Sequence, residues 1–337
     1  MAVKIGLIGA GYWGPNFARI ASNSATSELA WCSDLSDKNL DSMKKNYPSV
    51  KITKDYNDIL NDKEVDAVIV ATPAETHYKV AKDCLLAGKH VLIEKPMSYS
   101  TQECVELVEI AEKSGKKIMV GHTFEYNSAV RKIKEYIDKN ELGDIYYIYL
   151  TRVNLGRIRE DVNAMWNLAP HDVSMLIYFL GMPLKVNAFG YSFIQKDIED
   201  VVFMVLEFPN NVIAKIHVSW LDPSKIREMT LVGSKKMIVF DDMDNESKLR
   251  IYDKGVTKQL GDNNAYGQYQ IKLRAGDIIL PKIDMKEPLK EEYEHFIECV
   301  RDGKESISNG KVGLNVVKVL EAAQKSIKNN GMSVQIE

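Results

Sequence analysis

The chain has 337 residues, 45% of them hydrophobic and 27% charged, with a formal net charge of −3. That length exceeds one compact core and suits two domains of ordinary globular composition. The near-neutral charge gives no electrostatic footprint for nucleic acid, and no apolar run reaches the length of a membrane span, so neither partner is expected.

Residues 3–14 read Val-Lys-Ile-Gly-Leu-Ile-Gly-Ala-Gly-Tyr-Trp-Gly. This is an apolar strand running into Gly9-x-Gly11-x-x-Gly14 and then a helix over 16–21. It is too short for a signal peptide and contains a glycine turn. Gly9 permits the tight turn, Gly11 admits a pyrophosphate against the backbone, and Gly14 lets helix and strand pack closely. Tyr12 and Trp13 complete the loop, and the helix N-terminus supplies N–H donors and a favourable dipole for an anion. A second strand over 28–33 ends on Asp34, twenty residues past Gly14, where a carboxylate accepts ribose hydroxyls. Its charge repels a 2′-phosphate, and Leu35, Ser36 and Asp37 bring no arginine. The expected cofactor is therefore NAD rather than NADP.

Further buried strands are predicted at 67–71, 90–93 and 117–121. Helices alternate with them over 76–87, opened by Pro73-Ala74-Glu75, and over 101–114, with Ser100 as N-cap and Gly115 past the end. After residue 121 the pattern changes. A helix over 128–140 precedes an alternating strand at 145–150 and a helix over 169–179. β-Rich runs follow at 185–193, 201–208, 212–220, 227–232, 236–240 and 248–252, punctuated by turn residues such as Pro209-Asn210-Asn211. Residues 261–284 have weak periodicity and read as a loop. Helices over 290–301 and 312–328 close the chain.

The expected fold is thus α/β plus α+β. A doubly wound Rossmann domain of about six strands spans 1–121, and an open, mainly antiparallel sheet with helices on one face spans 122–337. The second domain is expected to carry substrate binding, catalysis and oligomerisation. Four cysteines (Cys32, Cys84, Cys104, Cys299) show no metal or redox spacing and read as reduced thiols of a cytoplasmic protein. The histidines form no cluster, so no metal is expected.

Ala71-Thr72-Pro73 with His77, then Glu94-Lys95-Pro96, then Asn167-x-x-x-His171, in that order after the glycine turn, resemble the Gfo/Idh/MocA oxidoreductases. The resemblance extends to Asn309-Gly310-x-x-Gly313 and Leu320-Glu321-Ala322-Ala323. It implies that Thr72, Pro73, His77, Glu94 and Lys95 line the nicotinamide half of the cofactor crevice, and that Lys95 and His171 are catalytic. Ligands on open α/β sheets bind at the carboxyl ends of strands, which is where Thr72 and Glu94-Lys95 fall. An ammonium there stabilises a developing alkoxide and can shuttle a proton. Without Glu94 and Pro96, Lys95 would read as a surface residue closing a strand.

Asn167 and His171 share a face if both are helical. Pro170 suits a first helical turn, which would put His171 near the positive end of the helix and keep its imidazole neutral. The family pattern is Asp-x-Gly-x-His-x-x-Asp, whereas this chain has Asn167 and Ser174 in place of both outer carboxylates. Asn167 can hold a substrate hydroxyl but cannot take its proton. Asp172 should point elsewhere.

Residues 152–166 are similar to the nucleotide-sugar branch of that family, which includes UDP-N-acetylglucosamine 3-dehydrogenases. Arg157 and Arg159 offer planar donors for a diphosphate. Trp166, Asn154 and Asn163 offer a stacking plane and amides for a sugar. Tyr126 and Asn127 are either sugar contacts or packing residues, and the 266–269 loop is a weak candidate for a nucleotide cap. The expected activity is NAD-dependent oxidation of a secondary sugar hydroxyl, most simply C3 of a UDP-N-acetylhexosamine. The alternatives are an inositol-type dehydrogenase and a catalytically weak NAD-binding sensor. An exposed sheet face favours a homodimer or homotetramer.

Overall fold

The computed structural model describes residues 2–156, 158–260 and 269–336. The chain runs β1 (Val3–Ile8), α1 (Gly14–Ser22), β2 (Ser27–Ser33), α2 (Asp37–Asn46), β3 (Lys51–Thr53), α3 (Asn57–Asn61), β4 (Ala67–Val70), α4 (His77–Leu86), β5 (His90–Ile93), α5 (Thr101–Ser114) and β6 (Ile118–Val120). These strands form one parallel sheet in the order β3-β2-β1-β4-β5-β6. The order reverses between β1 and β4, which opens a crevice at their carboxyl ends. All of Ala67–Val70 is buried, as a run covered on both faces requires. α5 ends on Gly115 at φ 66°, a left-handed cap that costs glycine nothing. Ser100 has the extended backbone of an N-cap, but its side chain caps nothing. Ser100 N instead donates to Ser98 Oγ at 3.1 Å.

Next come α6 (Ser128–Asp138), β7 (Ile145–Val153), α7 (Ala164–Leu180), β8 (Lys185–Tyr191), β9 (Val201–Glu207), β10 (Ile213–Ser219), β11 (Ile226–Gly233), β12 (Met237–Asp241), β13 (Leu249–Leu260), β14 (Tyr269–Ile279), α8 (Pro288–Asp302), α9 (Gly310–Lys328) and β15 (Val334–Gln335). The second sheet has the order β14-β13-β12-β11-β7-β10-β9-β8-β15, antiparallel except for β7 beside β10. Ile148, Leu150, Met204, Leu206, Ala214 and Ile216 are buried on one face, where α7 packs on β7, β9 and β10. Tyr147 and Tyr149 of β7, Phe189 of β8 and Phe203 of β9 are exposed at the alternating positions. The mixed, mainly antiparallel sheet with helices on one side is the expected one.

Three expectations need correction. The helix predicted from 169 begins at Ala164, because Asn163 caps it by accepting a bond from Trp166 N at 3.0 Å. Pro170 therefore lies inside α7 rather than in its first turn. The predicted loop over 261–284 contains β14; both strands of the β13–β14 ribbon carry exposed apolar residues, such as Val256 and Leu273, so no one-sided pattern betrays the pairing. The chain also divides differently from a single cut at residue 121. One compact unit is Met1–Asn127 with Lys286–Glu321, and the other is Ser128–Met285 with Ala322–Glu337. In the first, Leu289, Tyr293, Phe296 and Ile297 of α8 join one core with Val3, Ile5 and Phe17.

All four cysteines are buried and unbridged. No helix among the described residues is long and apolar enough to cross a membrane, and no group of candidate metal ligands occurs among them.

Candidate active site

In the first unit the glycine turn follows β1. Gly9 has φ 97°, and a Cβ there would lie 2.6 Å from the Ala71 carbonyl oxygen. A Cβ on Gly14 would lie 2.2 Å from the Gly9 carbonyl oxygen. Both glycines are thus demanded by backbone-to-backbone contact. Gly11 is different: a Cβ there meets nothing within 4 Å. The space over Gly11 is open, and no side chain caps the start of α1. This cradle fits a diphosphate. Tyr12 is 86% exposed and touches Trp13 edge-on at 5.7 Å between ring centroids.

Asp34 ties the turn to β2. Its Oδ2 accepts from Ala10 N at 2.7 Å, and its Oδ1 accepts from Ser36 N at 2.8 Å and Asn39 Nδ2 at 3.2 Å. A carboxylate has about four acceptor positions, so Oδ2 retains capacity for a ribose hydroxyl. The residues therefore fit a dinucleotide at both its diphosphate and its adenosine end.

At the ends of β4 and β5, His77 is buried and faces two carbonyls. Its Nδ1 lies 2.7 Å from Pro96 O and its Nε2 lies 3.0 Å from Thr72 O. Burial holds its pKa below the usual range. His77 thus braces the Thr72-Pro73 turn against the segment after Lys95, a supporting role rather than a direct ligand contact. Thr72 Oγ1 accepts from Thr76 Oγ1 at 2.8 Å, and Pro73 is exposed.

Lys95 is half-buried, and its backbone N–H donates to Glu94 Oε2 at 3.3 Å. Glu94 is buried, and burial pushes its carboxyl up to about 7. Beside it lies a polar set that sequence reasoning missed. Glu292 of α8 is fully buried and accepts from Thr123 Oγ1 at 3.0 Å. Burial, then Glu94, then Glu125 raise its carboxyl well above the ordinary value. Burial and then Lys95 push His122 down to about 3, so its ring is neutral. Tyr126, expected near the substrate, is only 1% exposed and bonds His295 Nδ1 at 2.9 Å and Ser308 Oγ at 3.3 Å. It belongs to the core of this unit, and Asn127 beside it is also buried.

In the second unit Asn167 and His171 both lie on α7 at a four-residue spacing, and both are half-buried. The shared face is therefore present. His171 is the eighth residue of α7, however, and the dipole acts only over the first turn. The start of the helix is thus about two turns away from its imidazole. Asp172 does point elsewhere: it takes a forked pair of bonds from Arg152, Nη2 at 2.7 Å and Nε at 3.0 Å, with both side chains buried. Ser174 Oγ donates to His171 O at 2.9 Å and so serves the helix backbone.

Asn163 is the cap of α7 and donates to Glu199 Oε2 at 2.6 Å and Gln324 Oε1 at 2.8 Å. Trp166 is buried, and its indole N–H donates to the same Gln324 oxygen at 3.2 Å. Neither is a loose sugar platform; both build the start of α7. Arg159 forks onto Asp161, with Nε 2.8 Å and Nη2 2.5 Å from its oxygens. Asn154 is half-buried, with its backbone N–H donating to Ser219 O at 3.2 Å. Arg157 and residues 266–268 of the proposed cap lie outside the described residues. Sequence reasoning also missed Trp220, whose indole N–H donates to Asn167 Oδ1 at 3.2 Å.

Comparisons agree with this geometry. Residues 3–122 match the family described as "Oxidoreductase family, NAD-binding Rossmann fold", and residues 130–239 match the GFO/IDH/MocA C-terminal domain. The chain is 24% identical to the scyllo-inositol 2-dehydrogenase (NADP(+)) IolW of Bacillus subtilis, over 97% of this chain and 94% of that one. It shares its fold with the UDP-N-acetylglucosamine 3-dehydrogenase GnnA from Acidithiobacillus ferrooxidans, at TM-score 0.81 and 22% identity over 98% of this chain and 100% of that one. The WlbA dehydrogenase from Bordetella pertussis, solved with NADH and UDP-GlcNAcA, superposes at TM-score 0.81 and 20% identity over 100% and 99% of the two chains. With both domains matched across more than half its length, the chain belongs to the Gfo/Idh/MocA oxidoreductase family and is an NAD-binding oxidoreductase.

Proposed function

We propose that this oxidoreductase oxidises a secondary hydroxyl of a nucleotide sugar, with C3 of a UDP-linked N-acetylhexosamine as the preferred position. The observation that carries the dehydrogenase chemistry is the half-buried Asn167–His171 face of α7. NAD, when bound, accepts the hydride. His171 or Lys95 takes the hydroxyl proton. The Nδ1 of His171 is buried. Asn167 orients the oxygen and takes no proton, because an amide has no basic site near neutral pH. Asp34 selects NAD by repelling a 2′-phosphate.

The nucleotide-sugar assignment is supported by the resemblance of residues 152–166 and by the likeness to GnnA and WlbA. Its test is titration calorimetry with UDP and UDP-N-acetylglucosamine in the presence of NAD, followed by NADH absorbance. Binding of UDP with turnover of the sugar is expected, and absence of any UDP affinity discards the assignment. One observation favours the inositol-type alternative: the Arg159 fork is already engaged by Asp161. Turnover of myo-inositol without UDP affinity would establish that reading.

Assembly in a cytoplasmic setting belongs to the same proposal. A second copy covers the open face of the large sheet, where Tyr147, Tyr149, Phe189 and Phe203 are exposed.

A further inference from the structure

We infer that Trp220 is a positioning residue that fixes the Asn167 amide with its oxygen turned inward and its two N–H donors directed away from Trp220. Trp220 follows β10 and is 1% exposed, one of the largest fully buried side chains among the described residues. Its indole Nε1 lies 3.2 Å from Asn167 Oδ1. An indole N–H is a donor only, so this contact is attractive for one rotation of the amide alone. The oxygen faces Trp220, and the NH2 edge points the other way. Trp220 is itself held at both backbone groups. Its N–H donates to Asp200 O at 3.0 Å, and its carbonyl accepts from Gly156 N at 3.3 Å. A buried ring anchored to two other segments has little freedom, so the amide it holds is oriented before any ligand arrives.

The consequence concerns what Asn167 recognises, and it rests on the reading of this face of α7 as catalytic. An aspartate at this position would use one oxygen for Trp220 and offer the other as an acceptor for a hydroxyl proton. Asn167 instead keeps its NH2 edge on the side away from Trp220, and that nitrogen carries two donors. A group that meets this edge acts as an acceptor, such as the carbonyl formed as an alcohol loses hydride. A donor placed where that charge builds stabilises the oxidised form and the path toward it more than the starting alcohol.

The contact is tested on the full chain with NAD added, labelled with 15N at the tryptophan indoles. Four indole signals are expected, and the one absent from Trp220→Phe is Trp220. Asn167→Ala should move that signal upfield and leave the other three in place. Asn167→Asp, with a charged acceptor, should move it downfield. A Trp220 signal indifferent to both substitutions overturns the inference, whatever the enzyme's substrate.

Kinetics with UDP-N-acetylglucosamine or myo-inositol supply the second arm. Trp220→Phe should lower kcat about tenfold with KM within about twofold, and should cost nothing further in the Asn167→Ala background. Equal losses in both backgrounds reduce Trp220 to general packing and overturn the positioning role. Failure of both alcohols to reduce NAD counts against the proposed reaction, and the indole signals then decide the inference alone.

Discussion

Arg152 and Asp172 bury a complete pair of opposite charges between β7 and α7, whereas the docking of α8 in the first unit buries Glu292 among the carboxyls of Glu94 and Glu125. Both regions exclude water, and both flank residues assigned to chemistry. The forked guanidinium meets its carboxylate through three hydrogen bonds, so the two opposite charges compensate one another and form a strut between β7 and α7. Glu292 instead meets like carboxyls out of water. The carboxyl set lowers its energy by keeping protons, and Glu94 then titrates close to neutrality. Burial is what drives Glu94 and Glu292 toward their protonated forms, and at Glu292 the like-charged neighbours add to it, whereas the buried Asp172 meets an opposite charge.

The largest effect should come from breaking the strut. Arg152→Leu leaves Asp172 buried and uncompensated, and urea unfolding should show a loss of roughly 3–5 kcal/mol. Adding Asp172→Leu should recover most of it. A loss no greater than that of an ordinary surface substitution would show that water already reaches the pair.

The carboxyl set should behave in the opposite sense. Its raised folded pKa means that protonated Glu94 contributes stability below its unfolded value of 4.5, and this contribution is lost as pH rises through about 7. Glu94→Gln cannot ionise and escapes that loss. Thermal unfolding should therefore show the variant level with the parent near about pH 4 and more stable near about pH 8, by up to roughly 3 kcal/mol. A parent whose stability is flat across this window would mean that Glu94 ionises freely.

The smallest effect sharpens the comparison on the cofactor side. Gly14→Ala forces a Cβ against the Gly9 carbonyl and should cost about 1–3 kcal/mol of stability. Gly11→Ala has open space around it and should leave unfolding within about 0.5 kcal/mol of the parent. NAD titration should nonetheless show weaker binding for Gly11→Ala. Unchanged affinity would mean that the diphosphate does not approach Gly11.

The glycine turn and Asp34 were legible in the sequence because their reasons are local. The turn needs backbone contact that only glycine permits, and the carboxylate closes the next strand. The start of α7 was misjudged because Pro170 suggested a first turn, while the true cap, Asn163, sits seven residues earlier and is held by Glu199 and Gln324. Residues 152–166 offered arginine, tryptophan and asparagine in a suggestive order, yet Arg159, Trp166 and Asn163 spend their polar atoms within the protein. Trp220 and Glu292 were silent because their partners are remote: Asn167 is 53 positions away and Thr123 is 169. No periodicity or spacing rule reaches across such distances.

The return of α8 to the first unit has a consequence for biosynthesis. Val3, Ile5 and Phe17 emerge from the ribosome early, but Leu289, Tyr293 and Phe296, which complete their core, are translated only after β7 to β14 of the second sheet. The amino-terminal segment must therefore wait with apolar surface uncovered until α8 is made, and a fragment ending near Asn127 would be prone to aggregate.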